Sequence, residues 1–355
     1  MAGDLDAALG FSDEEIAACL ARDGLLSLEL EFTRRCNLRC LYCYAAAGTP
    51  LPGELSLPEV LSVVEQAAGL GARTIVLLGG GEPLLWPFVR EVVRQVRRLG
   101  MAPALFTNGV ALTEALCGFL AAHEVTVAVK QNSLRAEVQD ALAGVAGAHA
   151  DMQRGLRRLM AAGYPDERRR LCVQTVICRQ NREELVTMWS WARERGITPY
   201  FEVLTDQGRA RRHPDLALAG DEIRGVFEEL AAVDARRFGR RWTPRPPIAA
   251  FTCRRHLYSC LVTATGIVQP CPGIDLAVGQ IRERPLEAIL RTSAVIRDLR
   301  QIYARIDEEC RACELAGTCY GCRGNAYQRT GRYLARDPDC WHRPARAGAC
   351  RARGA

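Results

Sequence analysis

Three cysteines lie close together in the first part of this 355-residue chain, at Cys36, Cys40 and Cys43. Their C-x3-C-x2-C spacing suits a [4Fe-4S] cube, because three thiolates can bind three irons and leave the fourth iron open to another ligand. A structural zinc site is the alternative interpretation. Structural zinc needs four ligands, however, and no fourth cysteine or histidine lies nearby in the sequence. The spacing therefore predicts an iron-sulfur site with one open iron.

A second group of eight cysteines occupies the last third of the chain. Two pairs in it have C-x2-C spacing, and Gly266 lies five residues before another member. The eight are Cys253, Cys260, Cys271, Cys310, Cys313, Cys319, Cys322 and Cys340. Eight thiolates are enough for two complete iron-sulfur sites, although a pair of zinc sites would use the same spacing. In a reducing compartment, metal binding explains so many cysteines better than disulfides do.

A glycine run follows the second predicted strand, at Gly79, Gly80 and Gly81, and Glu82 comes directly after it. Glycines let the backbone approach a ligand closely, and a carboxylate is a suitable partner for an ammonium group. A glycine run alone would indicate only a turn. A short polar run containing Asn108 ends the next predicted strand, and we expect it to shape the rim of the same site.

The elements that must position these residues alternate between strand and helix patterns as far as about residue 205. The strands are predicted at residues 28–33, 74–78, 103–106, 125–130, 171–178 and 199–205. Six βα units predict an α/β fold whose parallel sheet curls into a partial (β/α)6 barrel of the TIM type. Active sites in such barrels lie at the C-terminal ends of the strands.

Beyond the barrel the rhythm stops, and a proline-rich stretch at residues 243–247 marks a linker. We divide the chain into a helical lead-in (1–25), the barrel (26–205) and a linker with one helix (206–250). A cysteine-rich module (251–345) and an arginine-rich tail (346–355) follow. The module has few helix-length periodic segments, as expected for a region that folds around metal.

Strand alternation predicts which polar side chains face the barrel interior. They are Lys130, Asn132, Gln174, Cys178, Tyr200 and Glu202. Lys130 is the only lysine among 47 basic residues, and lysine is compact and can titrate where arginine stays charged. We predict a polar cup in which Lys130 or Glu202 acts as a catalytic base. Each of these residues could equally be a structural polar group with its hydrogen bonds satisfied.

The N-terminal motif, with Tyr42 before its last cysteine, resembles the signature of the radical S-adenosylmethionine (SAM) superfamily. The glycine run with Glu82 resembles the GGE motif of that family, which holds the SAM amino group. The resemblance implies that SAM binds the open iron and is cleaved to a 5'-deoxyadenosyl radical, which removes hydrogen from an unactivated C-H bond. Many relatives clamp the SAM carboxylate with an arginine after the fourth strand. This sequence has Lys130, Asn132 and Ser133 in that region instead, and one of them would replace the clamp.

The C-terminal cysteines resemble the SPASM domain, an extension of radical SAM enzymes with two auxiliary [4Fe-4S] clusters. Two residues separate Cys319 from Cys322, where the family usually has three. The resemblance implies interleaved ligand sets. The first auxiliary cluster would use Cys253, Cys260, Cys271 and Cys322, and the second Cys310, Cys313, Cys319 and Cys340. The expected cofactors are therefore SAM and three [4Fe-4S] clusters.

The polar cup and two auxiliary clusters favour a radical SAM dehydrogenase that oxidises a hydroxyl-bearing small molecule, such as an aminoglycoside or cyclitol. Peptide modification of the SPASM type is one alternative, with cross-linking, thioether formation or epimerisation of a short peptide. A small-molecule or sugar epimerase, with Cys178 as hydrogen donor, is another. A non-enzymatic iron-sulfur scaffold would need no SAM pocket, so the GGE motif argues against that class.

The remaining composition limits the partners. The net charge of +6 is modest, and the basic residues are mostly scattered, so we expect no nucleic-acid partner. No apolar stretch approaches a membrane span, and the first residues lack a signal-peptide pattern. We expect a soluble cytoplasmic protein that receives electrons from a flavodoxin- or ferredoxin-type reductant.

Overall fold

The computed structural model describes residues 10–342, so the predicted arginine-rich tail lies outside the described residues. Nine strands form one sheet. They are β1 (Ser27–Leu30), β2 (Thr74–Leu77), β3 (Ala102–Thr107), β4 (Thr126–Lys130), β5 (Leu171–Ile177), β6 (Thr198–Val203), β7 (Ser259–Val262), β8 (Ile267–Gln269) and β9 (Gly279–Gln280). All six predicted strands are present, with ends that differ by up to three residues, so the α/β barrel prediction is confirmed.

The spatial order of the sheet is β6-β5-β4-β3-β2-β1-β7-β8-β9. Strands β1 to β6 are parallel neighbours, and β7 pairs parallel to the other side of β1, with Leu28 opposite Cys260. Strands β8 and β9 continue the sheet in antiparallel pairs. The cysteine-rich module is therefore joined to the barrel by backbone hydrogen bonds.

Helices that alternate with the barrel strands pack through regularly spaced apolar residues. The helices before β7 are α1 (Asp13–Ala21), α2 (Leu57–Gly69), α3 (Val89–Arg98), α4 (Glu114–Ala122), α5 (Ala136–Ala143), α6 (Ala148–Ala161), α7 (Leu185–Glu194) and α8 (Gly220–Arg237). Among them, α1 packs with the C-terminal module through Ile16 and Cys19. In α2, for example, Val60, Val63, Val64 and Ala67 are buried. Its N-terminus is fixed by a capping box in which Glu59 accepts from the Ser56 backbone N-H.

The segment expected to be a linker is folded onto the barrel. Helix α8 packs against α7 and β6 through Val226, Phe227 and Leu230, which share an apolar cluster with Trp189 of α7. The Trp189 indole N-H also donates to the buried Asp234 carboxylate of α8, at 2.7 Å. This segment is thus part of the structure that supports the cavity.

The C-terminal module contains more helix than the sequence indicates, in five short pieces. They are α9 (Leu286–Thr292), α10 (Ala294–Arg300), α11 (Ile302–Arg305), α12 (Glu308–Arg311) and α13 (Arg323–Thr330). Each spans eight residues or fewer, which is too short for a clear apolar period. Within residues 10–342, no helix combines the length and apolar character that a membrane crossing requires.

Candidate active site

One cavity opens at the C-terminal ends of the barrel strands, and both cysteine groups contribute to its lining. Cys36, Cys40 and Cys43 line it. Cys253, Cys271 and Cys322 of the C-terminal module line it as well. The strands contribute polar side chains to the same lining. A substrate in this cavity would therefore share one space with two sets of thiols.

The N-terminal cysteines lie on an irregular loop after β1, and backbone groups support their sulfurs. The Leu38 N-H donates to Cys36 Sγ and the Ala47 N-H to Cys43 Sγ, each at 3.4 Å. Burial raises the pKa of Cys40 to about 12. Since metals bind thiolates, a bound positive metal centre would have to offset this desolvation.

A segment from the expected linker holds this loop in place. The Arg209 guanidinium donates to the carbonyl oxygens of Cys40 and Ala47, at 2.8 and 2.7 Å. Gly208 has a positive φ of 60°, and a Cβ there would lie only 2.1 Å from the Tyr44 carbonyl oxygen. Glycine is therefore required at this close approach. Sequence reasoning missed both residues, because they lie more than 160 positions from the loop that they hold.

The glycine run after β2 crosses the cysteine loop closely. A Cβ at Gly81 would lie 2.1 Å from the Arg35 carbonyl oxygen, and the Glu82 N-H donates to that oxygen at 2.8 Å. Gly80, Gly81 and Glu82 line the cavity, while Gly79 has a positive φ of 88° at the turn that precedes them. The run therefore brings backbone and one carboxylate to the edge of the thiol site.

Glu82 is buried, and its carboxylate accepts three hydrogen bonds. Its donors are the Thr107 hydroxyl at 2.7 Å and the backbone N-H groups of Asn108 and Leu84 at 2.8 and 3.1 Å. Burial nevertheless raises the pKa of Glu82 to about 7. A cation placed next to this carboxylate would favour its ionised form.

Asn108 connects the end of β3 to the cysteine loop. Its side-chain N-H donates to Asn37 Oδ1 at 2.8 Å, and its own Oδ1 accepts from the Val110 N-H. Asn108 is buried and lines the cavity. The structure thus brings Asn108 to the cavity surface, where the sequence predicted a role in shaping the site, and the contact to Asn37 was not predicted.

Lys130, Gln174 and Glu202 form a polar group on the strands. Lys130 Nζ lies 3.7 Å from Glu202 Oε1, and the Gln174 side-chain N-H donates to the same oxygen at 2.7 Å. Lys130 Nζ also lies 4.9 Å from the ring centroid of Tyr42, within cation-π range. The structure places all four residues, together with Tyr200, on the cavity surface.

Asn132 and Ser133 do not line the cavity, which corrects their expected place in the SAM pocket. Asn132 Oδ1 accepts from the Val176 N-H at 2.8 Å, and the Ser133 hydroxyl donates to Glu184. Strand β4 ends at Lys130, so the alternation that was extended to residue 132 no longer applies. Among the three candidates for the missing carboxylate clamp, the structure brings only Lys130 to the cavity.

Cys178 is also absent from the cavity surface, and the structure does not support its expected role as a hydrogen donor. Its side chain is fully buried and packs with Leu142, Leu216 and Tyr42. Burial raises the pKa of this thiol to about 12. Strand β5 ends at Ile177, so the inward direction predicted for residue 178 fails for the same reason as at Asn132.

The first C-terminal group consists of three cysteines around the cavity. Cys322 is the N-cap of α13, and its sulfur accepts from the Asn325 N-H at 3.3 Å. Burial raises the pKa of Cys271 to about 12, and Cys253 is close enough to contribute to that increase. Burial raises the pKa of Cys322, and the charges of Asp337, Cys253 and Cys271 add to the increase. These three thiols are mutual neighbours.

Cys260 is not part of this group, so the expected set of four cysteines is wrong. Cys260 lies within β7 opposite Leu28, and both side chains belong to the large apolar core with Val262. This face of the sheet is opposite to the one that bears Glu29 and the cavity. The sequence did not predict β7 as a strand, and without it the direction of this thiol could not be inferred.

The second C-terminal group contains the four cysteines expected for it, Cys310, Cys313, Cys319 and Cys340. Burial raises the pKa of Cys310 to about 11, and the neighbouring thiols of Cys340 and Cys313 add to the increase. Cys319 lies close enough to Cys340 to affect its pKa as well. The Gly321 N-H donates to Cys319 Sγ at 3.4 Å. None of these four lines the cavity. Cys319 belongs to this group and Cys322 to the first C-terminal group, so the two groups alternate along the sequence as predicted.

Two arginines and a histidine accompany the first group on the cavity surface. Arg255 pairs with Glu29 at 2.6 Å, and the fully buried Arg323 donates to the Tyr333 carbonyl at 3.1 Å. Burial, with the charges of both arginines, lowers the pKa of His256 to about 3, so its imidazole is neutral. Two fixed positive charges suit a negatively charged cluster of thiolates and iron.

Comparison with known proteins agrees with this geometry. The Radical SAM superfamily model matches residues 30–192, and the SPASM iron-sulfur cluster-binding domain matches residues 253–314. The chain is 30% identical to the AdoMet-dependent heme synthase of Methanosarcina barkeri, over 89% of this chain and 96% of that protein. The chain belongs to the radical SAM superfamily. A mycofactocin maturase MftC of Mycolicibacterium smegmatis is 27% identical, over 91% of this chain and 85% of the relative.

Solved structures show the same fold. Streptococcus suis SuiB bound to S-adenosylmethionine aligns with a TM-score of 0.72 and 17% identity, over 95% of this chain and 86% of that one. The AdoMet-bound anSMEcpe structure with its Cp18Cys peptide aligns with a TM-score of 0.66 and 16% identity, over 88% and 93%. The radical SAM barrel and its SPASM extension are thus one architecture in all three.

A radical SAM domain binds SAM and a [4Fe-4S] cluster, and a SPASM domain binds further iron-sulfur clusters. The residues of this chain fit those groups. Three neighbouring sulfurs, two of which accept backbone hydrogen bonds, lie near a buried carboxylate, Glu82. A cation such as the SAM ammonium would favour the ionised form of that carboxylate. No three Cys, His, Asp or Glu side chains in the described part of the chain are close enough to bind one metal ion. A cube places its irons, and therefore its ligands, farther apart than a single ion does.

Proposed function

We propose that this radical SAM enzyme oxidises a substrate carbon by two electrons in the cavity that the two cysteine groups share. The observation that carries the proposal is the lining itself. Cys36, Cys40 and Cys43 border the same space as Cys253, Cys271 and Cys322. A substrate there is adjacent both to the site that generates a radical and to a site that can accept an electron.

When bound, SAM and its cluster supply a 5'-deoxyadenosyl radical that takes a hydrogen atom, and the first auxiliary cluster supplies an acceptor for one electron. The chain must then remove one proton. The Glu202 carboxylate, which lies 3.7 Å from Lys130 Nζ, is placed to take it from a substrate hydroxyl. Loss of one hydrogen atom, one proton and one electron converts a carbinol into a ketone. The hydrogen atom is recovered in 5'-deoxyadenosine, which forms together with methionine, and SAM cleavage would take one electron from an external reductant.

The polar residues on the strands favour a hydroxyl-bearing small molecule as substrate, such as an aminoglycoside or cyclitol. Gln174 and Glu202 offer a hydrogen-bond donor and acceptor side by side. Lys130, held over the Tyr42 ring, adds a positive charge. The ion pair with Lys130 holds the Glu202 carboxylate in position while the substrate binds.

A carboxylated tetrapyrrole is a second candidate substrate. The relative with 30% identity is a heme synthase, and the cavity contains Arg255 and Arg323 as well as Lys130. Arg323 Nε and Nη2 have no hydrogen-bond partner among the described residues. These cations suit carboxylate groups of a substrate. Relatives named as a mycofactocin maturase and a PqqA peptide cyclase favour a short peptide as a third class.

The test is a product assay with anaerobically reconstituted protein, SAM and dithionite. Hydroxylated cyclitols and aminoglycosides, an iron-bound carboxylated tetrapyrrole and short peptides are supplied in parallel. We expect one hydroxylated compound to raise 5'-deoxyadenosine formation and to yield a ketone with two hydrogens fewer. Deuterium at the carbinol carbon should appear in 5'-deoxyadenosine. Oxidation of only the tetrapyrrole or a peptide would reject the hydroxylated substrate, and redox-neutral products would reject the oxidation.

A further inference from the structure

The first auxiliary site has three cysteines, one fewer than a cube needs when the protein ligates all four of its irons. Cys253, Cys271 and Cys322 line the cavity, and Cys260 is directed into the apolar core on the other face of β7. The second auxiliary site, by contrast, has four neighbouring thiols. A fourth protein ligand for the first site would therefore have to be a residue other than cysteine.

His256 is the side chain that meets the requirements of such a ligand. It lies three residues after Cys253 and lines the cavity that the three cysteines also line. Its exposed fraction is only 4%, and its Nδ1 has no hydrogen-bond partner among residues 10–342. An unpaired polar atom this deeply buried costs roughly 1–3 kcal/mol. A bond to iron would remove that cost.

The surroundings of His256 keep its ring next to this site. Its imidazole packs against Tyr320, with 5.8 Å between ring centroids, and Tyr320 lies two residues before Cys322. Neighbouring residues of His256 on the cavity surface include Arg255 and Arg323. The imidazole is neutral in this environment, and neutral imidazole is the form that binds metals.

We propose that His256 is the fourth protein ligand of the first auxiliary cluster, completing a site of three thiolates and one imidazole. Replacing one anionic thiolate with a neutral ring makes the bound cluster less negative. The same exchange of histidine for cysteine raises the reduction potential of Rieske clusters. A cluster with a higher potential accepts an electron more readily. The ligation is independent of the proposed oxidation, whereas this benefit for electron acceptance rests on the proposed function.

Pulsed electron paramagnetic resonance of the reduced protein tests the ligation directly. A full-length variant with Cys36, Cys40 and Cys43 changed to alanine is used, so that only the auxiliary clusters contribute to the signal. We expect strong nitrogen coupling that changes from a 14N to a 15N pattern when histidine is labelled with 15N. No substrate or turnover is needed, so a failure here is distinguishable from a failure of the proposed oxidation.

His342 provides a matched control, because it lies two residues after Cys340 of the second group. His256→Ala should abolish the nitrogen coupling, while His342→Ala should keep it. His256→Cys should restore a full cluster without nitrogen coupling and with a lower reduction potential than the parent protein, which guards against loss of the site in His256→Ala. Absence of histidine coupling in the parent protein, its persistence in His256→Ala, or its loss in His342→Ala would overturn the proposal.

Discussion

The two cysteine groups of the C-terminal module come from one interleaved pattern, but their surroundings differ. The second group has four mutually close thiols and does not line the cavity. The first has three, lines the cavity, and is accompanied by Arg255, Arg323 and His256. The same cysteine spacing therefore serves two tasks. One site is closed by the chain's own thiols, and the other is adapted to the space where a substrate would bind.

Cys319 and Cys322 belong to different groups, although they lie only three positions apart in the sequence. Cys322 borders the cavity as the N-cap of α13, while Cys319 belongs to the group outside the cavity. The sharp turn between them includes Gly321, whose φ is 63°. A pair of substitutions three residues apart can therefore separate the roles of the two sites.

The largest expected effect comes from that pair. Cys322→Ala and Cys319→Ala should each remove roughly four irons of about twelve, because one auxiliary cube is lost in each case. Only Cys322→Ala removes the site next to the substrate, so it should abolish ketone formation, while Cys319→Ala should retain a measurable rate. Iron analysis and product assays check both variants. Equal product loss in the two variants would mean that the groups are not functionally distinct.

A smaller loss of activity is expected when Glu202, the proposed base in the cavity beside the first group, is replaced. Glu202→Gln keeps a side chain that can bond to Gln174 but cannot take a proton. It should lower kcat by about 10²- to 10⁴-fold, the usual contribution of a general base. Iron content and SAM binding should not change. A matched substitution outside the cavity, Glu222→Gln in the exposed pair with Arg179, should leave kcat unaffected. An unaltered kcat in Glu202→Gln would show that Glu202 is not the base.

The pH dependence of SAM binding is expected to be weaker still. Burial raises the pKa of Glu82 to about 7, so its carboxyl is protonated in the SAM-free protein below that pH. The SAM ammonium favours the carboxylate, so binding releases a proton in that range. SAM affinity should fall by up to about tenfold per pH unit below pH 7 and level off above it. Equilibrium dialysis of the cluster-loaded protein measures this, and Glu82→Gln should remove the slope.

The smallest effect is expected at Cys260, the cysteine of the C-terminal module that belongs to neither of its two groups. Cys260→Ala removes a sulfur from the apolar core and should lower the free energy of unfolding by about 1 kcal/mol. Because its thiol faces away from the cavity, the iron content should stay the same. Cys271→Ala should instead lose about four irons. Urea unfolding and iron analysis measure the two quantities. Iron loss in Cys260→Ala would restore the four-cysteine site and contradict the placement of His256.

Sequence reasoning reached the barrel because long alternating segments carry their own periodicity. It also reached Lys130, Gln174 and Glu202, since all three lie within strands where alternation holds. It failed at Asn132 and Cys178, where the strand had already ended. Alternation along a strand predicts which face a side chain points to only for residues that are hydrogen-bonded within the sheet.

Other features had no local signal at all. The hold of Arg209 on the cysteine loop joins residues that are far apart in sequence. The strand that contains Cys260 is four residues long and pairs with β1, which lies more than 200 positions earlier. His256 is a single histidine in a basic stretch, and only its burial beside the cavity distinguishes it from the other histidines of the described chain.

Strand β1 has partners on both sides, β2 of the barrel and β7 of the C-terminal module. Cutting the chain between the two matched families would leave β1 as an unpaired edge, with its N-H and C=O groups open to non-native association. The barrel alone is therefore a poor unit for expression, and exchange of SPASM modules between enzymes has to preserve the β1-β7 register. Because β1 and β7 must pair, we expect the barrel and the C-terminal module to be inherited together.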